Sequence, residues 1–414
     1  MEGPVFKLMR FVLGAGLLCS SFAFAEIQPE SSLLWRRARV APLGQHLWSF
    51  QTSYQKSDSR FSTNGDSKPL GEPFARGVTW RQILDRQSDA TARAQLQSYM
   101  RSTGAREDDL AASAEYEVFR EEMGLKLDWA YGLTSSWMIG FQMPLSYRRT
   151  YTQTHIKMSP SLNGAIRTQK LNQTAQDMSA EVREMAEQEL SSRGYDDVPD
   201  QRLEWEPGDA TLLSQISLLK GYTWQWSLQQ MVRVPTSRNP DLDEYIRSES
   251  DNGQVDLGLT SLTDFQFQRW LLGTRMGYVA QLPDQIRGRV PGDASRNIDP
   301  KVGRDLGDWV FVSADSNYRL ARRWSADFEY SYWRKWTDKF RGHASSGYEY
   351  SRLSRGTDSE LHLSRFGLQY QMGSRTSRGR IESKWIAAIG YQHPWAGRNS
   401  ANSDRATLDV INYF

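Results

Sequence analysis

Residues 222–235, YTWQWSLQQMVRVP, place Tyr222, Trp224, Trp226, Leu228, Val232 and Val234 on one register and Thr223, Gln225, Ser227, Gln229 and Arg233 on the other; Gln230 alone breaks the first set. Successive side chains of a strand point to opposite faces, so this segment is a ribbon with one apolar and one polar face. A single ribbon of this kind suits any half-buried sheet. How often it recurs decides which apolar medium it meets.

It recurs along most of the chain. Trp137, Ile139, Phe141, Met143, Leu145 and Tyr147 oppose Gly140, Gln142, Ser146 and Arg148, and Trp324, Ala326, Phe328, Tyr330 and Tyr332 oppose Ser325, Asp327, Glu329 and Ser331. In all, about twelve strands are expected, near 45–56, 115–133, 136–150, 208–220, 222–235, 254–268, 269–282, 307–320, 323–337, 358–372, 381–393 and 403–414. The number is even, and most strands exceed the roughly 9–11 residues that cross a bilayer on a tilt.

The connections fall into two kinds. Short ones lie at Thr134-Ser135, Lys220-Gly221, Gln268-Arg269 and Ala321-Arg322, with a medium one from Gly373 to Arg380. Long polar ones occupy 57–113, 151–206, 236–253, 283–306, 339–356 and 394–402. Alternation of short and long connections is the loop asymmetry of an outer-membrane barrel, with short periplasmic turns and long outer loops. Aromatic residues beside the short turns, among them Tyr131, Trp137, Trp224, Trp270, Tyr318 and Trp324, suit a membrane interface.

Composition narrows the class further. Mean hydropathy is −0.64 and the formal net charge is +2, with no footprint for nucleic acid. Residues 1–25 read as a secretory signal: Lys7 and Arg10 precede a largely apolar stretch from Phe11 to Phe24, and Ala23-Phe24-Ala25 sets cleavage between Ala25 and Glu26. The single cysteine, Cys19, falls inside this signal, whereas all fifteen tryptophans follow it. An exported, aromatic-rich chain without a mature thiol is either a large soluble periplasmic or secreted protein or an outer-membrane barrel, and the alternating strands point to the outer membrane of a Gram-negative cell.

The expected fold is therefore all-β: a transmembrane antiparallel barrel over residues 45–414 whose long outer loops contain short helices. Helical spacing occurs from Leu171 to Leu190 and around Trp80, Ile83 and Leu84. Residues 26–44, with Leu33, Leu34 and Trp35 beside Arg36, Arg37 and Arg39, form either a periplasmic segment or a plug in the lumen. Closure pairs every backbone group within lipid and leaves the polar faces to the lumen. Lys126, Asp128, Arg148, Arg233, Asp256, Asp264, Arg275, Asp315, Asp327, Glu329 and Lys384 are accordingly the lumen-facing candidates. Similar numbers of both signs leave open whether the lumen conducts or is filled by mutual pairing.

Signals for chemistry are sparse, and the chain is read as a non-enzyme. His343-Ala344-Ser345-Ser346-Gly347 holds the closely spaced His and Ser of an outer-membrane lipid hydrolase, but no orienting Asn is identifiable. The five histidines lack metal-ligand spacing, and no cofactor motif is present. The acidic run Asp241, Asp243, Glu244, Glu249 and Asp251 suits a solvated loop better than a cation site.

Four short motifs carry a resemblance: Pro207-Gly208-Asp209-Ala210, Val232-Arg233-Val234-Pro235-Thr236, Asp251-Asn252-Gly253-Gln254-Val255-Asp256-Leu257 and Leu306-Gly307-Asp308-Trp309. With them the chain from about 115 onward resembles the outer-membrane transporters associated with phenol meta-degradation pathways, a group near the long-chain fatty acid transporter superfamily. Ser237 replaces the family's usual Gly, and the insertions at 57–113 and 151–206 are not typical of it. The resemblance implies passive uptake of small hydrophobic or aromatic molecules. A structural or surface-interaction barrel with a closed lumen is the alternative. Expected partners are the lipid bilayer, lipopolysaccharide, a small hydrophobic solute and, through the terminal Phe414, the barrel assembly machinery. The sequence names no substrate and no oligomeric state.

Overall fold

The computed structural model describes residues 33–72, 75–168, 174–192, 201–237, 253–290, 298–343, 348–375 and 381–413. The signal segment, the acidic run, Ser345 and Phe414 lie outside the described residues. Twelve strands form the wall: β1 His46–Phe61, β2 Leu110–Gly132, β3 Trp137–Met158, β4 Ala210–Lys220, β5 Trp224–Val234, β6 Asp256–Phe267, β7 Trp270–Gln281, β8 Trp309–Arg319, β9 Trp324–Lys335, β10 Ser359–Arg375, β11 Ile381–Arg398 and β12 Ser400–Tyr413. Each pairs antiparallel with its neighbours in sequence, and β1 pairs with both β2 and β12, which closes the barrel. No described helix is long and apolar enough to cross a membrane.

Burial follows the expected two-residue period. In β5, Ser227, Gln229 and Arg233 are buried on the inside while Trp224, Trp226 and Val232 are exposed on the outside. Trp226 donates its indole N–H to Ser261 Oγ at 2.9 Å and Trp137 to Ser214 Oγ at 3.0 Å, so polar atoms on the lipid face are paired within the wall. Near the short turns, Trp270 packs tilted against Tyr318 at 4.6 Å and Trp324 against Tyr370 at 4.8 Å, and aromatic residues favour such interfacial positions. Tyr222 belongs to the turn before β5 and is 94% exposed. Nothing in the structure explains Gln230 on the lipid face.

One expected long loop is absent. Residues 394–402 complete β11 and begin β12, joined at Asn399 with φ +47°. Asn tolerates this left-handed conformation, and its side chain donates to the Asp358 carbonyl at 2.9 Å. Polar composition had suggested a loop, yet above the membrane a strand needs no apolar face. For the same reason 283–306 holds a ribbon, Asp284–Arg289 paired with Ile298–Asp305, which Lys339–Arg341 extends.

The two long insertions build a cap. β2 has 23 residues and β3 has 22. At about 3.4 Å per residue such strands far exceed a hydrocarbon core of about 30 Å, so their paired ends stand well outside the membrane. Against them pack α1 Trp80–Arg86, α2 Ala90–Thr103, α3 Pro160–Arg167 and α4 Ala175–Ser192. Local signals fix these helices: Thr79 and Gln82 form a reciprocal cap, Asp89 caps α2, and Ser159 with Pro160 opens α3. Ile83, Leu96, Leu162, Met178 and Val182 share one core with Ala112, Ile156 and Met158. Those even-numbered strand positions continue the register of Arg120 and Arg148, so the helices lie on the lumen side of the hairpin, at the outer mouth.

The cap core meets the wall only at the outer ends of β2 and β3, which gives a prediction. Leu96→Ala and Met178→Ala should each destabilise the cap by about 2–5 kcal/mol. Limited proteolysis then cuts faster within 80–110 and 160–190, while the gel mobility of the unboiled barrel stays distinct from that of the boiled chain. Loss of that mobility difference in the variants would show that the closed wall depends on the cap.

Candidate functional site

The lumen is where polar side chains converge. Asp128, Arg148, Arg233, Asp256, Asp264, Arg275, Asp327 and Glu329 are buried on the inner face; Lys126 and Asp315 lie on the same face, partly buried. Lys384 sits on β11 opposite Tyr413, and its side chain falls outside the described residues. The candidates do not form one site. Arg233 pairs with Asp256 at 3.1 Å near the outer end of β5, and Arg148 pairs with Glu122 and Glu206 at 3.2 and 3.1 Å on the β2–β3 side.

A denser group occupies the wall from β7 to β12. Arg275 bonds Glu329 and reaches Ser313 Oγ at 3.3 Å, while Ser331 Oγ donates to Glu329 at 2.9 Å. Arg365 lies 2.8 Å from Asp327 and 3.6 Å from Asp409, and Gln369 donates to Asp327 at 3.0 Å. Arg365, Gln369 and Asp409 are not among the lumen-facing candidates although their strands are recognised, and Ser331 is read only as part of a polar face. Their signal was the same alternating register, read through the polar side.

Residues 33–41, which precede β1, complete this group from within the lumen. Arg36 Nη1 is 3.1 Å from Glu329, and Arg37 Nη1 is 2.7 Å from Asp315 and 3.5 Å from Asp264. The backbone joins in: Ala38 N–H donates to Asp264 at 2.9 Å, Gln215 donates to the Arg37 carbonyl at 2.8 Å, and Ser227 donates to the Ala38 carbonyl. Burial alone pulls the Arg36 pKa down, but the field of Glu329, Asp409, Asp327 and Asp315 outweighs it and leaves the value raised. Arg37 is raised in the same way, burial being outweighed by Asp315 and Asp264. Both guanidinium groups therefore stay charged.

The apolar side of the segment is equally fitted. Leu34, Trp35, Val40 and Ala41 pack with Leu47, Ala130, Met138, Leu213 and Ile411, inward-facing residues from several strands. Gly140 makes room for the indole: a Cβ there would stand 2.6 Å from Trp35 Cζ2. Sequence reading noted the Leu33-Leu34-Trp35 and arginine pairing but had no means to see that five distant strands hold its partners.

His343 is exposed beyond Lys339–Arg341, and its intended partner Ser345 is outside the described residues. Among the described residues no cluster of His, Cys, Asp and Glu is spaced to hold a metal ion.

Comparison with known structures follows this geometry. An outer membrane channel from Pseudomonas putida F1 superposes with a TM-score of 0.51 at 10% identity, covering 94% of this chain and 100% of that one. The translocator domain of the autotransporter NalP from Neisseria meningitidis gives 0.35 at 6% identity, over 90% and 89% of the two chains. A Pseudomonas aeruginosa FadL homologue gives 0.34 at 8% identity, over 95% and 99%. No protein-family model and no curated protein matches the sequence. The chain has the fold of an outer-membrane β-barrel.

The contacts of residues 33–41 generate a direct test. Breaking one partner of a buried ion pair costs about 3–5 kcal/mol, because the other charge is left unpaired. In an Ala38→Cys background, whose new thiol is the only one expected in the exported chain, thiol labelling should be slow. Adding Asp264→Asn and Glu329→Gln should speed it by about tenfold or more, since even 1.4 kcal/mol is a factor of ten. An unchanged labelling rate would show that the ion pairs do not hold the segment.

Proposed function

We propose that this barrel is a channel for passive uptake of small hydrophobic or aromatic solutes, closed in the described state by residues 33–41. The observation that carries the reading is the pairing of Arg36 and Arg37 with Asp264, Asp315 and Glu329. A segment tied to the wall only by side chains and a few backbone bonds can leave, and water entering behind it rehydrates the charges it exposes. A barrel near twelve strands lies between small filled barrels of about eight and open porins of about sixteen. Removing an internal segment is then what separates a filled lumen from a passage. Charges of both signs line that passage, which argues against strong ion selectivity.

Two features support an apolar cargo: the resemblance of the strand-end motifs, and the apolar inner surface formed by Val279, Trp309, Phe311, Leu361 and Leu363 toward the outer end. One observation favours the alternative of a closed structural barrel. The Arg275–Glu329 pair, which reaches across β8, and the Arg365–Asp327 pair between adjacent strands need no plug to exist.

Flux into liposomes separates the two. Arabinose and 4-hydroxybenzoate should enter slowly with the intact exported chain and about tenfold or more faster when residues 26–44 are deleted, the factor that 1.4 kcal/mol of lost latching supplies. Arg36→Ala with Arg37→Ala should fall between. Folded barrels that pass neither solute in any of these forms would establish the closed structural reading instead.

A further inference from the structure

Toward the outer end of β7–β10 the inner wall changes character. Register aligns Gly277, Phe311, Trp333 and Leu361 across four consecutive strands, one inward-facing row beyond Arg275, Ser313 and Ser331. Val279 and Trp309 form the next row, joined by Met231. The Phe311 and Trp333 rings stack at 4.5 Å with 16° between planes, and Trp309 lies 5.5 Å from Trp333 and 6.0 Å from Phe311. Gly277 is part of the construction: a Cβ there would stand 2.1 Å from the Phe311 ring.

Two polar atoms in this cluster are unspent. The indole N–H groups of Trp309 and Trp333 are buried and find no hydrogen-bond acceptor among the described residues, and Trp309 is only 5% exposed. A buried donor without a partner is costly, because it gives up its hydrogen bond to water and gains none in return. The lipid-facing tryptophans Trp137 and Trp226 each donate to a wall serine, whereas three lumen tryptophans, Trp309, Trp333 and the fully buried Trp35, do not. A wall that required only apolar filling would be served by Phe or Leu at no such cost.

We infer that Trp309, Trp333 and Phe311 form a solute-binding subsite for a single aromatic ring that carries an acceptor oxygen, such as a phenol or an aromatic carboxylate. The stacked rings supply offset or edge contacts to the ring of the solute. Indole donates and does not accept, so the free N–H groups favour an oxygen lone pair over a methyl group or an ammonium. The solute enters past Trp333, the more exposed of the two tryptophans, and its oxygen accepts a hydrogen bond from one indole N–H. The inference deepens the channel reading and rests on it for the role in uptake, though binding itself does not require flux.

The test compares 4-methylphenol with 1,4-dimethylbenzene, matched in shape and differing in the oxygen. Calorimetry in nanodiscs, against empty nanodiscs, should give saturable binding of 4-methylphenol by the full exported chain. One hydrogen bond to a neutral group is worth about 0.5–1.5 kcal/mol, so Trp309→Phe or Trp333→Phe should lower the preference for 4-methylphenol over the hydrocarbon by roughly two- to tenfold. Gly277→Leu, which displaces the Phe311 ring, should abolish saturable binding of both. Each variant is accepted only with the wild-type difference in mobility between boiled and unboiled samples. Absence of saturable binding, or an unchanged preference in both tryptophan variants, would overturn the subsite. Liposome flux of 4-hydroxybenzoate keeps the outcomes apart: flux with no discrimination refutes the subsite alone, and binding without flux refutes the channel alone.

Discussion

In the hydrocarbon of a membrane a backbone amide has no water to bond, so every N–H and C=O of a crossing strand must find a neighbouring strand. The double pairing of β1, with β12 on one side and β2 on the other, meets that demand for the first and last strands of the wall. The rest of the arrangement depends on it. Once the sheet closes, each strand has one face toward lipid and one toward a confined interior. A charge such as Arg275 or Asp327 then has only the interior to occupy. Because the polar faces of twelve strands converge on one axis, those charges come within reach of each other and of any segment threaded among them.

Along the axis the interior is layered. Near the short turns, Trp35 and its apolar neighbours fill the space between Leu47, Met138 and Ile411. Above them lie the ion pairs of Arg36, Arg37, Arg275 and Arg365, then the stacked rings of Phe311 and Trp333. On the β2–β3 side, four helices stand over the outer mouth on an apolar core shared with the ends of those two strands. Each layer answers a different constraint: filling, charge neutralisation, apolar contact, and cover.

The wall was legible in the sequence because lipid imposes a strict two-residue period on it; Trp224, Trp226 and Val232 against Ser227 and Arg233 state the rule. Legibility faded where that pressure ends. Residues 394–402 form strands in water, where neither face must be apolar, and so resembled a loop. Helix α2 went unread because only Leu96 and Met100, one turn apart, are buried in it. Inside the lumen the rule misleads in another way. Trp309, Phe311, Leu361 and Leu363 are apolar yet face inward, and alternation alone cannot tell such a face from one that meets lipid. The partners of Arg36 and Arg37 were hidden for a geometric reason, since pairing between residues nearly three hundred positions apart leaves no local pattern.

That separation also sets an order of events. Residues 33–41 precede the wall in the chain, yet Gln215, Ser227, Asp264, Asp315 and Glu329, which receive them, belong to β4, β5, β6, β8 and β9. No subset of early strands offers a complete berth. Contacts this distant in sequence form late, because the entropy of closing so large a loop must be met before they stabilise anything. The stretch that emerges early in synthesis is thus among the last to find its place, and assembly of the wall proceeds around a segment that has not yet docked.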